Sequence, residues 1–192
     1  MGWWKRILGS PREGSSRRIT FDSPLVIQSP RIGFYNLLGS VGEPILEADR
    51  AALGPLFSVS EVSDVAPPLC EVLMIYARLQ SNGQVVGSSH GLRDIIRSSN
   101  APIVIVASEN GSESCIAAGK RTGYGHANLV FTLRRKGNAF PLFFTQLFRK
   151  MFEGKSMLLA WVGLAPQNRD APEHANCPET IFAAEVSHVI FK

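Results

Sequence analysis

Between residues 69 and 166 the hydrophobic positions switch back and forth between two patterns. LCEVLMIYARL (69–79), apolar almost throughout, reads as a central strand buried on both faces, APIVIVASENG (101–111) as a second central strand and HANLVFTLRRKG (126–137) as a third strand. The segments between and after them change to helical spacing. GLRDIIRSSN (91–100) turns Leu92, Ile95 and Ile96 inward and Arg93, Asp94 and Arg97 outward. SESCIAAGKRTGYG (112–125) is a helix of small residues that stops at its glycines. NAFPLFFTQLFRKMFEG (138–154) is the strongest helical signal. Phe140, Phe143, Phe144, Leu147, Phe148, Met151 and Phe152 form its core stripe, Asn138 is its expected cap, Pro141 sits in its first turn and Gly154 closes it. KSMLLAWVGLAP (155–166) predicts a shorter helix.

Upstream, PLVIQSP (24–30) is a short strand between prolines, and RIGFYNLLG (31–39) a second strand or extended lead-in. Glu43-Pro44 opens a helix with Ile45, Leu46, Ala48, Ala52, Leu53 and Leu56 near helical spacing, ended by Gly54-Pro55. SVSEVSDVAPP reads as a loop, and Asn82-Gly83 as a hairpin turn. QNRDAPEHANCPE is a second loop before a terminal strand or strand pair, TIFAAEVSHVIFK. Strands alternating with helices predict an α/β fold: a mostly parallel central sheet with helices on both faces.

Composition narrows this picture. At 192 residues and 45% hydrophobic, the chain builds one ordinary domain. We divide it into a tail at 1–20 and a single domain at 21–192. The net charge is +4, and residues 1–20 hold all of it: Lys5, Arg6, Arg12, Arg17 and Arg18 against Glu13. The folded body is therefore neutral overall, which argues against specific nucleic-acid binding. No apolar run is long enough to cross a membrane. Trp3, Trp4, Ile7 and Leu8 beside Lys5 and Arg6 suit either packing on the domain or a partner, or a membrane interface. Arg6 stands where a myristoylation signal at Gly2 would want Ser or Thr. Three widely spaced cysteines, Cys70, Cys115 and Cys177, give no disulfide framework and point to a reducing, cytoplasmic setting. The four histidines have no ligand spacing with them, so neither a metal nor a cofactor is expected.

Motifs for common chemistry fail on spacing. Gly119-Lys120 is followed by Arg121, and no glycine stands at 114, so a phosphate loop is absent. Ser108 has Val106 and Asn110 where a nucleophile elbow needs glycines. A serine or cysteine hydrolase also needs a base within hydrogen-bond reach, and His90, His126, His174 and His188 are the only candidates.

The order of elements does carry a likeness. VLMIYARLQSNGQVVGSSHGLRDIIRSSNAPIVIVASENG, followed by GHANLVFTLRRKGNAFPLFFTQLFRKMFEGKSMLLAW, resembles the caspase/CHAT-like clan of cysteine peptidases over about half the chain. In that layout an apolar strand ends in a His-Gly pair, then come a turn and a short helix. The next strand ends in a Cys-bearing segment, and a small-residue helix, a strand and two helices follow. The resemblance implies a three-layer sandwich in which this chain is degenerate at both catalytic positions. Tyr76-Ala77-Arg78 stands where His-Gly belongs, and Ser108 stands where the nucleophilic Cys belongs. A serine without its histidine has no base, so Ala77 and Ser108 read as vestigial positions.

Three functions follow as expectations. The first is a catalytically inactive module that binds a partner protein, as part of a bacterial effector or defence assembly, with the tail as an attachment point to a partner or a membrane surface. Tyr76, Arg78, Glu109 and Asn110 would then form a polar cleft for a peptide or small ligand. The second is an active hydrolase using Ser108 or Cys115 with His90. The third is a sensor that binds a nucleotide or small anion near Arg78, Lys120 and Arg121.

Overall fold

The computed structural model describes residues 24–122, 127–166, 170–184, 186 and 188–192, with only the backbone of 121 and 122. The tail with Trp3, Trp4, Lys5 and Arg6, and also His126, lies outside the described residues.

The main sheet uses β2 (Ile32–Asn36), β3 (Ser60–Ser63), β4 (Val72–Tyr76), β5 (Ile103–Val106), β6 (Asn128–Arg134) and β7 (Glu179–Ala183). Their order is β3-β2-β4-β5-β6-β7. The first five are parallel, and β7 joins the far edge antiparallel to β6. A separate parallel ribbon pairs β1 (Leu25–Ile27) with β8 (Val189–Phe191). The connections carry α1 (Glu43–Leu53), α2 (Leu92–Ser99), α3 (Ser112–Thr122), α4 (Ala139–Phe152) and α5 (Met157–Leu164).

Alternation along the central strands separates two cores. Val72, Met74 and Tyr76 pack with α1, α4 and α5 in an aromatic layer that includes Phe140, Phe144 and Phe148. Leu73, Ile75 and Ala77 face the other way, onto Leu92, Ile95 and Ile96 of α2 and Cys115 and Ala118 of α3. Strands buried on both sides need a continuous apolar run, which is why β4 and β5 were legible as sequence. This is the three-layer α/β sandwich the pattern predicts. No described helix is long and apolar enough to cross a membrane.

Several local expectations change. β3 lies inside the segment read as a loop. It is a short edge strand of Ser60, Glu61, Val62 and Ser63 with no buried residue, so hydrophobic patterning had nothing to register. Asn138 sits before α4 in helical backbone (φ −69°, ψ −11°), and its side chain makes no capping bond. Phe152 leaves the α4 stripe and is 39% exposed, though its ring still meets Phe57 and Phe191. Ser156 is the residue that caps α5, accepting from the Leu159 N–H at 3.5 Å. The Asn82-Gly83 turn forms as expected, with Gln80 N donating to Gln84 O at 2.8 Å. Gly83 has φ +80°, and a Cβ there would stand 2.3 Å from the Ala118 backbone nitrogen. Only glycine lets the turn lie that close to α3.

Candidate functional site at the carboxyl ends of the strands

In an open parallel sheet, side chains converge outside the carboxyl ends of the strands, above all where the connections diverge to opposite sides. Here two neighbouring regions occupy that edge. One is the floor over β4, β5 and β6, and the other is the gap between β2 and β4, where the strand order reverses.

The floor contains the expected vestigial positions, and it is sealed. Tyr76 and Ala77 are fully buried. Tyr76 Oη donates to Asp49 Oδ2 at 2.7 Å, from the inner face of α1. Arg135, just past β6, reaches under the same point. Its Nη2 donates to Asp49 Oδ1 at 2.6 Å, and its Nη1 to the Ala107 carbonyl at 2.6 Å. The guanidinium lies 3.9 Å from the centre of the Phe140 ring. Burial pushes the Asp49 carboxyl up, while its bonds to Arg135 and Tyr76 pull it back. Burial, and then the Asp49 charge, push the Tyr76 hydroxyl well above its ordinary range. The pair and its phenol are thus a closed polar plug inside the aromatic layer.

Asn110 fastens the floor from above. Its Oδ1 accepts from Leu79 N at 2.8 Å, and its Nδ2 donates to the carbonyls of Ser108 (2.9 Å) and Ala77 (3.2 Å). Its own N–H donates to Thr132 O at 3.0 Å. Glu109 is exposed, yet its Oε1 accepts from Arg135 N at 3.0 Å. The loop after β5 is therefore tied to the loop after β4 and to the end of β6. Ser108 is 6% exposed, and its Oγ has no hydrogen-bond partner.

The other proposed catalytic residues are not joined to Ser108 by any described bond. His90 is exposed and faces Ser89 Oγ through Nδ1 at 3.2 Å. Cys115 is buried in the α2–α3 layer, and burial pushes its thiol up to about 11. Cys177 lines a separate cavity of about 380 Å³ between α5 and β7, with Trp161, His174 and Glu179. Among the described residues no group of His, Cys, Asp and Glu side chains could hold a metal ion.

Of the expected polar cleft, Tyr76 is thus a buried structural residue, and Glu109 and Asn110 are held by the backbone they brace. Arg78 faces solvent and lines an open site. It shares a cup of about 240 Å³ with Leu37, Leu38, Val41, Val86 and Gly87. The cup sits at the β2/β4 reversal and is built by short-range bonds. Leu37 N donates to Tyr76 O at 2.8 Å, which joins the two strand ends. Asn36 shapes the wall, accepting from Leu38 N at 3.0 Å and donating to Gly39 O at 2.9 Å. Val86 N donates to Arg78 O at 2.8 Å, which brings the second apolar wall across. Val41 is 68% exposed and Val86 44% exposed. No described carboxylate forms a salt bridge with Arg78. Lys120 lies near the end of α3 and is not among the residues that line the cup.

Sequence reasoning missed Asp49, Arg135 and the apolar wall of the cup. One signal was present: Asp49 falls on the inward Leu46–Leu53 stripe of α1, where a carboxylate needs a buried partner.

No protein-family model and no curated protein matches the chain.

Proposed function

We propose that the chain is a catalytically silent caspase/CHAT-like module that acts by binding a partner protein. The observation that carries this reading is the state of Ser108. It occupies the position that the resemblance assigns to the nucleophile, yet its Oγ is buried and unbonded, and Ala77 fills the position of the base. A hydroxyl reacts near neutral pH only with a base in hydrogen-bond reach. The residues on either side of Ser108 are instead pinned by Arg135 through Ala107 O and Glu109 Oε1. The run β4–α2–β5–α3–β6–α4–α5 also follows the layout quoted for that clan. A place within a bacterial effector or defence assembly belongs to the same reading.

The surface we assign to the partner is the Arg78 cup. A peptide carrying an apolar side chain next to an acidic one matches its lining and its unpaired guanidinium. The test has two parts. Serine- and cysteine-directed electrophiles, read by intact mass, should leave Ser108 and Cys115 unmodified. A stoichiometric adduct that disappears in Ser108→Ala or Cys115→Ala overturns the silent reading. Peptides selected on the chain should protect Leu38, Arg78 and Val86 in hydrogen exchange, and should lose binding about tenfold or more with Arg78→Ala. Selected peptides that bind Arg78→Ala unchanged overturn the cup.

The solvent-facing Arg78 also favours a second reading, a small anion at the same cup. A thermal-shift screen with nucleotides separates the two, because a ligand at ~100 times its Kd adds about 2.7 kcal/mol to stability.

A further inference from the structure

α5 is the most apolar helix of the fold, and it is only half covered. Met157–Leu164 reads MLLAWVGL and holds no charged residue. Met157 and Ala160 are buried, and Trp161 packs on Phe143 at 5.0 Å and Phe182 at 4.9 Å. The opposite side presents Leu158 (36% exposed), Leu159 (63%) and Val162 (55%). These sit at i, i+1 and i+4, on one face. A helix that is apolar all round is normally buried all round, and a bare apolar stripe marks a contact surface.

We propose that this face is covered by the chain's own N-terminal segment, with Trp3, Trp4, Ile7 and Leu8 laid over Leu158, Leu159 and Val162. Three observations select this occupant. First, the chain enters the described fold beside α5. Leu25 N donates to His188 O at 2.7 Å, β1 pairs with β8, and β8 packs against α4 and α5. Second, the tether reaches. The sixteen residue-to-residue steps from Leu8 to Pro24 span up to about 50 Å when extended. Third, the chemistry matches. Trp3, Trp4, Ile7 and Leu8 carry apolar area to match the stripe, and Lys5 and Arg6 between them have long stems that keep their charge in water. A tethered segment acts at an effective concentration on the order of millimolar, so a contact too weak to hold two separate molecules closes within one. This contact is independent of the Arg78 cup.

The test uses the full chain with Trp161→Phe, which leaves Trp3 and Trp4 as the only indoles. Their emission should be bluer, and less quenched by acrylamide, than that of a free peptide of residues 1–23. Leu159→Glu, at a site too exposed to threaten folding, should return both readings to those of the peptide. In the unaltered chain, deleting residues 1–20 should speed hydrogen exchange across α5 while leaving β4 and β5 unchanged. Four results overturn the proposal: peptide-like emission in the parent, shielding that Leu159→Glu does not alter, shielding lost on dilution (a second copy), or shielding seen only with anionic phospholipid vesicles (a membrane). Unchanged exchange in α5 after the deletion overturns it as well.

Discussion

The floor over β5 and the cup between β2 and β4 are neighbours on one edge of one sheet, and they are built in opposite ways. The floor is closed by polar side chains that spend their hydrogen bonds on backbone and on each other: Asn110 on Leu79, Ala77 and Ser108, and Arg135 on Asp49 and Ala107. The cup is walled by apolar side chains that leave Arg78 to solvent. Polar residues at strand ends are usually taken as the mark of a site. Here they are the fastening, and the open chemistry lies beside them, at the strand reversal. A polar group is available to a ligand only when the fold has not already satisfied it.

The difference can be broken first at the plug. Arg135→Met leaves the Asp49 carboxylate buried without its cation, and should cost about 3–5 kcal/mol in urea unfolding. The double variant Asp49→Leu/Arg135→Met should recover much of that loss, because the charge then goes with its partner. A double variant as unstable as the single one would mean that the pair does more than neutralise itself.

Asn110→Ala tests the fastening. It strands Leu79 N and two carbonyls, and should cost about 2 kcal/mol at an unchanged denaturant slope. Hydrogen exchange should open at Leu79 and Ser108 before it opens in α4.

The opposite end of β4 supplies a control of smaller size. Glu71 receives the Arg31 backbone N–H at 2.8 Å and its guanidinium at 2.8 Å. Burial works to raise the Glu71 carboxyl, but the Arg31 hydrogen bonds and charge outweigh it and hold the carboxyl below its ordinary value of 4.5. A carboxyl that is lower in the folded state stabilises fully above that ordinary value, and its contribution is lost as pH falls through the folded one. Glu71→Gln should therefore cost about 1 kcal/mol at pH 7. The gap to the parent should close as the pH is lowered below 4.5.

Ser108→Ala and Arg78→Ala are expected to move stability least, each within about 0.5 kcal/mol. Among the described residues Ser108 Oγ has no hydrogen-bond partner to lose, and the Arg78 guanidinium has no salt bridge. What separates them is binding, which Arg78→Ala should lose and Ser108→Ala should keep. Equal effects of the two on a bound peptide would erase the distinction between floor and cup.

Much of this protein is written locally. The double-faced burial of β4 and β5 demands uninterrupted apolar runs, and the α4 stripe demands helical spacing, so strand, helix and fold class were all legible from 192 letters. The polar edge strand β3 was not, because a strand that buries nothing leaves no hydrophobic period. The candidate site was legible only as a neighbourhood. Tyr76, Ser108, Glu109 and Asn110 were singled out as strand-end residues, and that is where they lie. The partners of Tyr76 and Glu109 were not legible: Tyr76 meets Asp49, Glu109 meets the Arg135 N–H, and Asp49 and Arg135, 86 positions apart, meet at 2.6 Å. No periodicity relates two residues at such a separation. Their pairing exists only once α1 and the end of β6 are packed on the same face of the sheet, and it is this packing that seals Tyr76 beneath the floor.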